Sequence, residues 1–224
     1  MGTHVQSFLI ALQVFGGLPI NHHFNIMADL ITVVQYKDAE GLRGEKDDDR
    51  LNVLVPQVSD LVKKYCGISF VDFYSTDKVE TFSVDDNYTT TIIVSESPLV
   101  EVSKVEERAS YSGSYVELTT GNYEYYVDLE SDAIIRTNSQ GKPIAYKQGV
   151  GAVKITYKAG YSETPDDLKL ALFDLVNYYI KDEHKERRTL GGATINNQGT
   201  AGLRQSTDFP DHIKRVLDLY RVVI

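Results

Sequence analysis

The side chains that most often carry chemistry are sparse in this 224-residue chain. Cys66 is the single cysteine, so an intrachain disulfide is excluded, and we expect a small buried hydrophobic residue there. His22 and His23 are adjacent but have no third ligand nearby, and Glu183-His184 is not part of a His-Glu-x-x-His zinc motif. With five histidines, counting leaves a Cys–His pair open, although no spacing favours one. The sequence therefore predicts no metal site.

Sequence motifs for binding phosphates or activating a nucleophile are also missing. There is no Gly-rich loop of the Walker or dinucleotide type and no Gly-x-Ser-x-Gly elbow. The run Asp47-Asp48-Asp49 lacks the alternating ligands and distal Glu of a calcium loop, so we interpret it as a helix cap. We predict no catalytic residue, no cofactor and no enzymatic activity.

Four basic side chains cluster near the end of a predicted helix: Lys181, Lys185, Arg187 and Arg188. They can contact DNA or an acidic partner, or they can pair with the C-terminal dipole of their own helix, and the sequence leaves both interpretations open. The net charge of −9 argues against tight DNA binding, which needs clustered Lys and Arg to release counterions. A DNA-binding module therefore remains only an alternative.

Tyrosine is concentrated in the middle of the chain, where ten of the 15 tyrosines lie between Tyr74 and Tyr161. Such residues can form a platform for sugars or bases, but half-buried sheet residues with hydrated hydroxyls are the interpretation we favour. A carbohydrate-binding or hydrolytic β domain is a second alternative. It would need two carboxylates facing one cleft.

The C-terminal segment combines an apolar stripe with basic flanks. The stripe recurs at helical spacing after Pro210 and consists of Ile213, Val216, Leu217 and Tyr220. The hydrophobic residues Val222, Val223 and Ile224 follow, and a protein normally avoids exposing such residues unless they meet a partner. Lys214, Arg215 and Arg221 flank the stripe and could orient it against acidic side chains. The sequence therefore predicts a protein-docking segment, with completion of the subunit's own core as the alternative.

Hydrophobic periodicity and turn residues predict the elements that position these residues. Helices are expected at 33–39, 50–66, 165–188 and 211–221, with Thr32 capping the first and Thr164 the third. β-branched residues and tyrosines predict six strands, at 79–84, 88–95, 99–105, 123–129, 133–137 and 152–159.

The order of these elements predicts an α+β fold, a small helical bundle with a β-rich lobe inserted between the second and third helices. Residues 27–67 would form the first part of the helical core, 68–161 the β-rich insert and 162–190 the long helix. Residues 191–209 would be a flexible loop and 210–224 the C-terminal helix and tail. Residues 1–26 are expected to be an upstream extension or an arm that packs on a neighbouring subunit, since Met27 reads like a natural start.

Two segments carry a resemblance to a known family. Val153–Tyr161 reads V-x-I-T-Y-x-A-G-Y and runs into P-x-x-L-K-x-A at Pro165–Ala171. The C-terminal segment reads P-x-x-I-K-R-V-L-x-x-Y-R from Pro210 to Arg221. With the order of elements, these segments resemble the head–tail connector (adaptor) family of tailed bacteriophages, of the helical-bundle connector type. The resemblance covers residues 27–224, and the long β-rich insert departs from the compact members.

The resemblance implies a structural virion protein without enzymatic activity or cofactors. Its implied partners are copies of itself in a ring of about a dozen, the portal protein, a tail or stopper protein, and the genomic double-stranded DNA that passes through the channel. It implies that the C-terminal docking segment meets the portal. It also implies a location in the virion neck, with assembly in the host cytoplasm.

Overall fold

The computed structural model describes residues 28–181 and 209–222. Its helices are α1 (Val33–Glu40), α2 (Asp48–Cys66), α3 (Asp166–Ile180) and α4 (Asp211–Leu219). α1 begins as predicted, because the Thr32 hydroxyl accepts from the Gln35 amide while the Gln35 side chain accepts from the Thr32 amide. None of the helices in these ranges is long and apolar enough to cross a membrane.

The start of α3 differs from the prediction in one respect. Pro165, not Thr164, occupies the cap position, and the helix begins at Asp166. The buried Thr164 hydroxyl instead donates to the carbonyl oxygen of Leu30, 2.6 Å away. The polar residue before this helix therefore ties two distant parts of the chain together rather than capping the helix.

Seven strands lie between the second and third helices. They are β1 (Lys78–Val84), β2 (Thr91–Ile93), β3 (Leu99–Glu107), β4 (Val116–Leu118), β5 (Tyr125–Asp128), β6 (Ala133–Arg136) and β7 (Gly149–Ala159). All six predicted strands are present, and the prediction missed the short β4. Every pairing is antiparallel, in a four-stranded sheet of order β1-β7-β3-β4 and a three-stranded sheet of order β2-β6-β5.

β7 is the longest strand of the larger sheet and pairs on both sides, with β1 and with β3. Val153, Ile155 and Tyr157 recur at the period of two that places alternate side chains on one face, and all three are fully buried. This is the V-x-I-T-Y part of the signature segment. Its sequence pattern therefore reflects the core of the sheet.

Two hydrophobic cores organise the described chain. The sheet core draws on both sheets and includes Val105, Ile134 and Ile155. The helix core draws on all four helices and on the segments beside them; its members include Leu30, Ile31, Tyr36, Leu51, Val55, Val58, Val62, Cys66, Phe70, Leu168, Leu172, Leu175, Phe209, Ile213 and Leu217.

The two cores meet where β7 leaves the larger sheet. Gly160 has a φ of 100°, and its amide donates to the Pro98 carbonyl at 2.8 Å. The next amide, of Tyr161, donates to the Phe70 carbonyl at 2.7 Å. A side chain at position 160 would overlap that carbonyl, so only glycine allows this close approach.

The prediction of a small helical bundle carrying an inserted lobe is wrong. The described chain is mixed helix and strand, with two antiparallel sheets and four helices, and α1 and α4 are only eight and nine residues long. The strands run from Lys78 to Ala159 and have their own buried core, so they are not an appendage of a bundle. Periodicity identified the helices and strands but not how they pack together, because packing depends on which apolar faces meet in three dimensions.

The predicted division of the chain into segments stays a prediction. Residues 1–26 and nearly all of the predicted flexible loop lie outside the described residues. Phe209, the last residue of that loop, is buried in the helix core, where its ring packs edge-on against Tyr65 with centroids 5.0 Å apart.

Candidate protein-interaction surface

The stripe predicted to dock on a partner packs largely against the subunit itself. Ile213 and Leu217 are 1% and 0% exposed and belong to the helix core, where α4 contacts α2 and α3. Val216 and Tyr220 are partly buried against the same core. These side chains are therefore used in holding α4 to the body, and the docking surface itself stays a prediction.

Polar contacts hold the end of α4 in place. The Cys66 thiol lies 3.6 Å from the Leu217 carbonyl oxygen, and the Val222 amide donates to the Cys66 carbonyl at 3.0 Å. The Tyr220 hydroxyl donates to Asp167 at 2.6 Å. Burial, followed by this hydrogen bond, raises the pKa of Tyr220, so the hydroxyl keeps its proton.

Cys66 is a buried free thiol, as the sequence predicted. Burial raises the pKa of the Cys66 thiol to about 12, with a further contribution from the nearby Asp218 carboxylate. A thiol that is protonated at neutral pH is a poor nucleophile. Its role in the structure is therefore packing between α2 and α4.

The outward side of α4 is what remains available to a partner. Leu219 is 76% exposed, and Arg215 and Arg221 are exposed beside it. The Arg221 guanidinium lies 5.5 Å from the centroid of the Tyr65 ring, and the Tyr65 hydroxyl donates to Asp218 at 2.6 Å. The exposed residues of this segment include one hydrophobic side chain and two cations, which we call the α4 outer surface (Arg215, Leu219 and Arg221).

The basic cluster is only partly within the described chain. Lys181 is exposed at the end of α3, where its amide donates to the Asn177 carbonyl at 2.9 Å. Lys185, Arg187 and Arg188 lie outside the described residues, as do Val223 and Ile224. Contact of the basic cluster with DNA or a partner therefore stays a prediction.

A network of charged side chains that the sequence did not predict lies between the two cores. Glu96 is 6% exposed and accepts from the Ser69 amide at 2.7 Å and from Lys78 at 3.0 Å. Burial alone would raise the pKa of neighbouring Glu80, but hydrogen bonds from Lys78 and Ser95 hold it below its ordinary value. Lys78 pairs with both carboxylates, and the Ser69 amide and the Ser95 hydroxyl donate to them, so these contacts hold the junction together.

No sequence motif marks this network, because its residues are scattered over the chain. The only local signal is the alternation of Lys78 and Glu80 on one face of β1. Among residues 28–181 and 209–222, no group of three His, Cys, Asp or Glu side chains could hold a metal ion.

Three tyrosines gather at the three-stranded sheet. Tyr123, Tyr125 and Tyr126 line a shallow pocket of about 230 Å³ together with Ile135 and Pro143. The pocket's lining residues include no carboxylate. It therefore lacks the paired acids that the hydrolytic alternative requires.

Comparison with known proteins identifies the family. The model of the head completion protein family matches residues 29–223. The chain belongs to the head completion protein family. It is also 23% identical over 203 residues to the head completion protein of Escherichia phage T5, which covers 87% of this chain and 99% of that protein. The predicted resemblance to the phage head–tail connector family is confirmed, and the family is structural rather than enzymatic.

Solved structures with a similar fold come from the neck of a gene transfer agent (GTA) particle. The match to the neck of the empty particle, computed with C6 symmetry, has a TM-score of 0.54 at 15% identity and covers 87% of this chain and 91% of the other. The match to the neck of the native particle, computed with C12 symmetry, has a TM-score of 0.52 at 15% identity and covers 86% and 88%. At this identity the likeness establishes the fold alone.

Proposed function

We propose that this head completion protein is a neck subunit that joins the portal to the tail of a bacteriophage virion. Several copies form a closed ring under the portal, extend the DNA channel and present the attachment surface for a tail or stopper protein. Assembly takes place in the host cytoplasm. Family membership over residues 29–223 carries the proposal, and the fold shared with chains of the GTA neck supports it.

In a closed ring, each subunit contacts its two neighbours through two different surfaces. A cyclic ring needs a head-to-tail contact between two unlike surfaces. The family resemblance implies about a dozen copies. The fold neighbours come from particles analysed with sixfold and twelvefold symmetry. The acidic net charge of −9 fits a wall past which DNA moves without being held.

The portal contact is proposed for the segment from Pro210 to Ile224. Ile213 and Leu217 are buried in the helix core, which leaves the α4 outer surface for the partner. An exposed leucine between two arginines fits an acidic partner surface with an apolar centre. The basic cluster at Lys181, Lys185, Arg187 and Arg188 would contact DNA or an acidic partner.

The ring is tested by imaging the neck. A reconstruction of the virion should place a closed ring of this chain between portal and tail, with DNA or an open channel along its axis. One or two copies at the neck, or a location elsewhere in the particle, would exclude the proposal. The DNA-binding alternative instead predicts strong, salt-dependent binding of the free protein to duplex DNA.

The portal contact is tested with surface variants that leave the core intact. Leu219→Asp and Arg221→Glu should weaken binding to the purified portal at least about tenfold, since central anchor residues dominate such interfaces. Leu170→Asp is the matched control, because Leu170 is also exposed but lies on α3. Unchanged portal binding by both α4 variants would place the contact on another surface.

A further inference from the structure

A short loop at one end of the four-stranded sheet has the composition of a protein-recognition loop. It connects β3 to β4 and reads Ala-Ser-Tyr-Ser-Gly-Ser-Tyr from Ala109 to Tyr115. Binding loops favour these residue types, because tyrosine offers a large amphipathic ring with few rotatable bonds, while serine and glycine adapt to a partner. The Tyr111 side chain is 78% exposed. The composition of this loop therefore suits contact with another protein.

One arginine holds the loop in a fixed shape. The Arg108 guanidinium donates to the carbonyl oxygens of Gly151 and Val150, both at 2.9 Å, and to that of Tyr111 at 2.8 Å. Its central carbon lies 4.9 Å from the centroid of the Tyr111 ring and 5.0 Å from that of the Tyr115 ring. The Tyr115 hydroxyl donates to the Gly151 carbonyl at 2.7 Å. These contacts tie the loop to the start of β7, so little conformational freedom is left to lose on binding.

The loop and the start of β7 together present two exposed side chains. The backbones of Tyr111 and Val150 lie close together, because both carbonyl oxygens accept from the same guanidinium. The Val150 side chain is 68% exposed. We call Arg108, Tyr111, Tyr115 and Val150 the sheet tip. Tyrosine and arginine beside an aliphatic side chain are typical of the residues that dominate protein interfaces.

The surroundings of the sheet tip are basic, although the protein is acidic. Residues 108–116 and 147–154 contain Arg108, Lys147 and Lys154 and no acidic residue, whereas the whole chain has a net charge of −9. The excess of acidic side chains therefore lies outside these two segments. A basic surface complements an acidic one, and such complementarity steers association and fixes its orientation. A second copy of this chain offers the acidic surface that the tip requires.

The cations near the tip are poorly placed to hold DNA. The Arg108 guanidinium uses all three of its nitrogens on backbone carbonyl oxygens. The Lys154 ammonium lies 2.6 Å from a carboxylate oxygen of Glu106. Binding to DNA phosphates needs several cations that are available to replace counterions. A protein partner is therefore favoured over DNA.

We propose that the sheet tip contacts the acidic surface of a neighbouring copy of this chain, as one of the two unlike surfaces of the ring contact. The inference rests on the ring of the proposed function. Tyr111 and Val150 form the apolar centre of the contact, and Arg108 supports it by fixing the shape of the loop. The tip belongs to the four-stranded sheet and the α4 outer surface to the helices, so one subunit can use both surfaces at once.

The first experiment identifies the partner of the tip. Cys66 is buried and its pKa is raised, so a cysteine introduced by Tyr111→Cys can be labelled selectively with a thiol-reactive photocrosslinker. The labelled protein is assembled on purified portal in the presence of duplex DNA and then illuminated. We expect crosslinked dimers of this chain, joined at a peptide rich in Asp and Glu. Crosslinks to the portal or to DNA, or the absence of any crosslink in assembled rings, would overturn the proposal.

The second experiment measures the strength of the contact. Val150→Asp should raise the protein concentration needed to complete rings on the portal about tenfold or more, because it places an acid at the centre of a contact with an acidic surface. Val150→Lys is the matched variant, and its effect should be smaller, since a lysine is attracted to that surface. Tyr88→Ala is the control outside the tip, where the side chain is 82% exposed, and it should have no effect.

The outcomes of this experiment separate the contact from the ring itself. Rings that form at the same concentration with Val150→Asp as with the unchanged protein would overturn the role of the tip and leave the ring in place. Equal losses with Val150→Asp and Val150→Lys would exclude an acidic partner surface. If the unchanged protein formed no ring on the portal, the proposed function would fail, and this inference with it.

Discussion

The sheet core and the helix core differ in how the chain builds them. The sheet core uses one stretch of sequence, from Val84 to Ala159. The helix core is assembled from three separated stretches, in which Leu30 lies near the start of the described chain and Leu217 near its end. A core closed by distant segments depends on both of them staying in place. Changes near the ends of the chain should therefore affect the helix core and leave the sheet core intact.

The junction between the two cores is where a single change should have the largest effect. Gly160→Ala places a methyl group against the Phe70 carbonyl and forces a non-glycine residue to a φ of 100°. We expect a loss of roughly 3–5 kcal/mol in the free energy of unfolding, from backbone strain together with overpacking. Urea denaturation measures it. Gly121→Ala, where an added methyl group meets nothing, should be close to neutral, and equal stability of the two variants would contradict this account.

A cavity in the helix core should have the next largest effect. Leu217→Ala removes a fully buried side chain from α4 and should cost about 2–5 kcal/mol of unfolding free energy. Leu219→Ala, on the exposed side of the same helix, should stay within about 0.5 kcal/mol. Hydrogen exchange after Leu217→Ala should rise in α2, α3 and α4 but not in β7. If hydrogen exchange in β7 rose by the same factor, the two cores would unfold as one cooperative unit.

A substitution in the sheet core should lower the free energy of unfolding by a smaller amount. Ile134→Val removes one buried methyl group and should cost about 0.5–1.5 kcal/mol. Its exchange effect should appear in β2, β5 and β6 while α4 keeps its protection. Ile93→Val is the control, because Ile93 is mostly exposed. Faster exchange at α4 in Ile134→Val would remove the distinction between the two regions.

A change in the charge network at the junction should have the smallest effect on the free energy of unfolding, and this effect should depend on pH. Burial opposes ionisation of Glu80, but the bonds from Lys78 and Ser95 keep its folded-state pKa below the ordinary 4.5. Its stabilising contribution is therefore complete above that value and is lost as the pH falls through the lower folded pKa. Glu80→Gln should be less stable than the unchanged protein at neutral pH, and the gap should narrow in acid. A stability difference that widens in acid would contradict the lowered pKa of Glu80. The control is Glu163→Gln at an exposed position, which should change neither the stability at neutral pH nor its pH dependence.

Local chemistry in the sequence predicted individual elements well. Thr32 and Gln35 form the expected capping box, and α2 ends at Cys66 as predicted, with Gly67 in the left-handed conformation that stops it. All six predicted strands are present because alternation and turn residues are local signals. β4 was missed, and β2 is shorter than predicted, since residues 88–95 were expected and only Thr91–Ile93 form the strand. Thr164 was misassigned because its partner, Leu30, lies far away in sequence.

Local patterns in the sequence predicted most of the helices and strands, and the segments at Val153–Tyr161 and after Pro210 carried the resemblance that the family match confirmed. Three features came from the folded chain alone: the sheets are not a lobe on a helical bundle, Ile213 and Leu217 face the subunit's own core, and Lys78, Glu80 and Glu96 meet between the cores. One cause explains all three. Periodicity states which face of an element is apolar, whereas the surface that covers that face is set by residues far away along the chain.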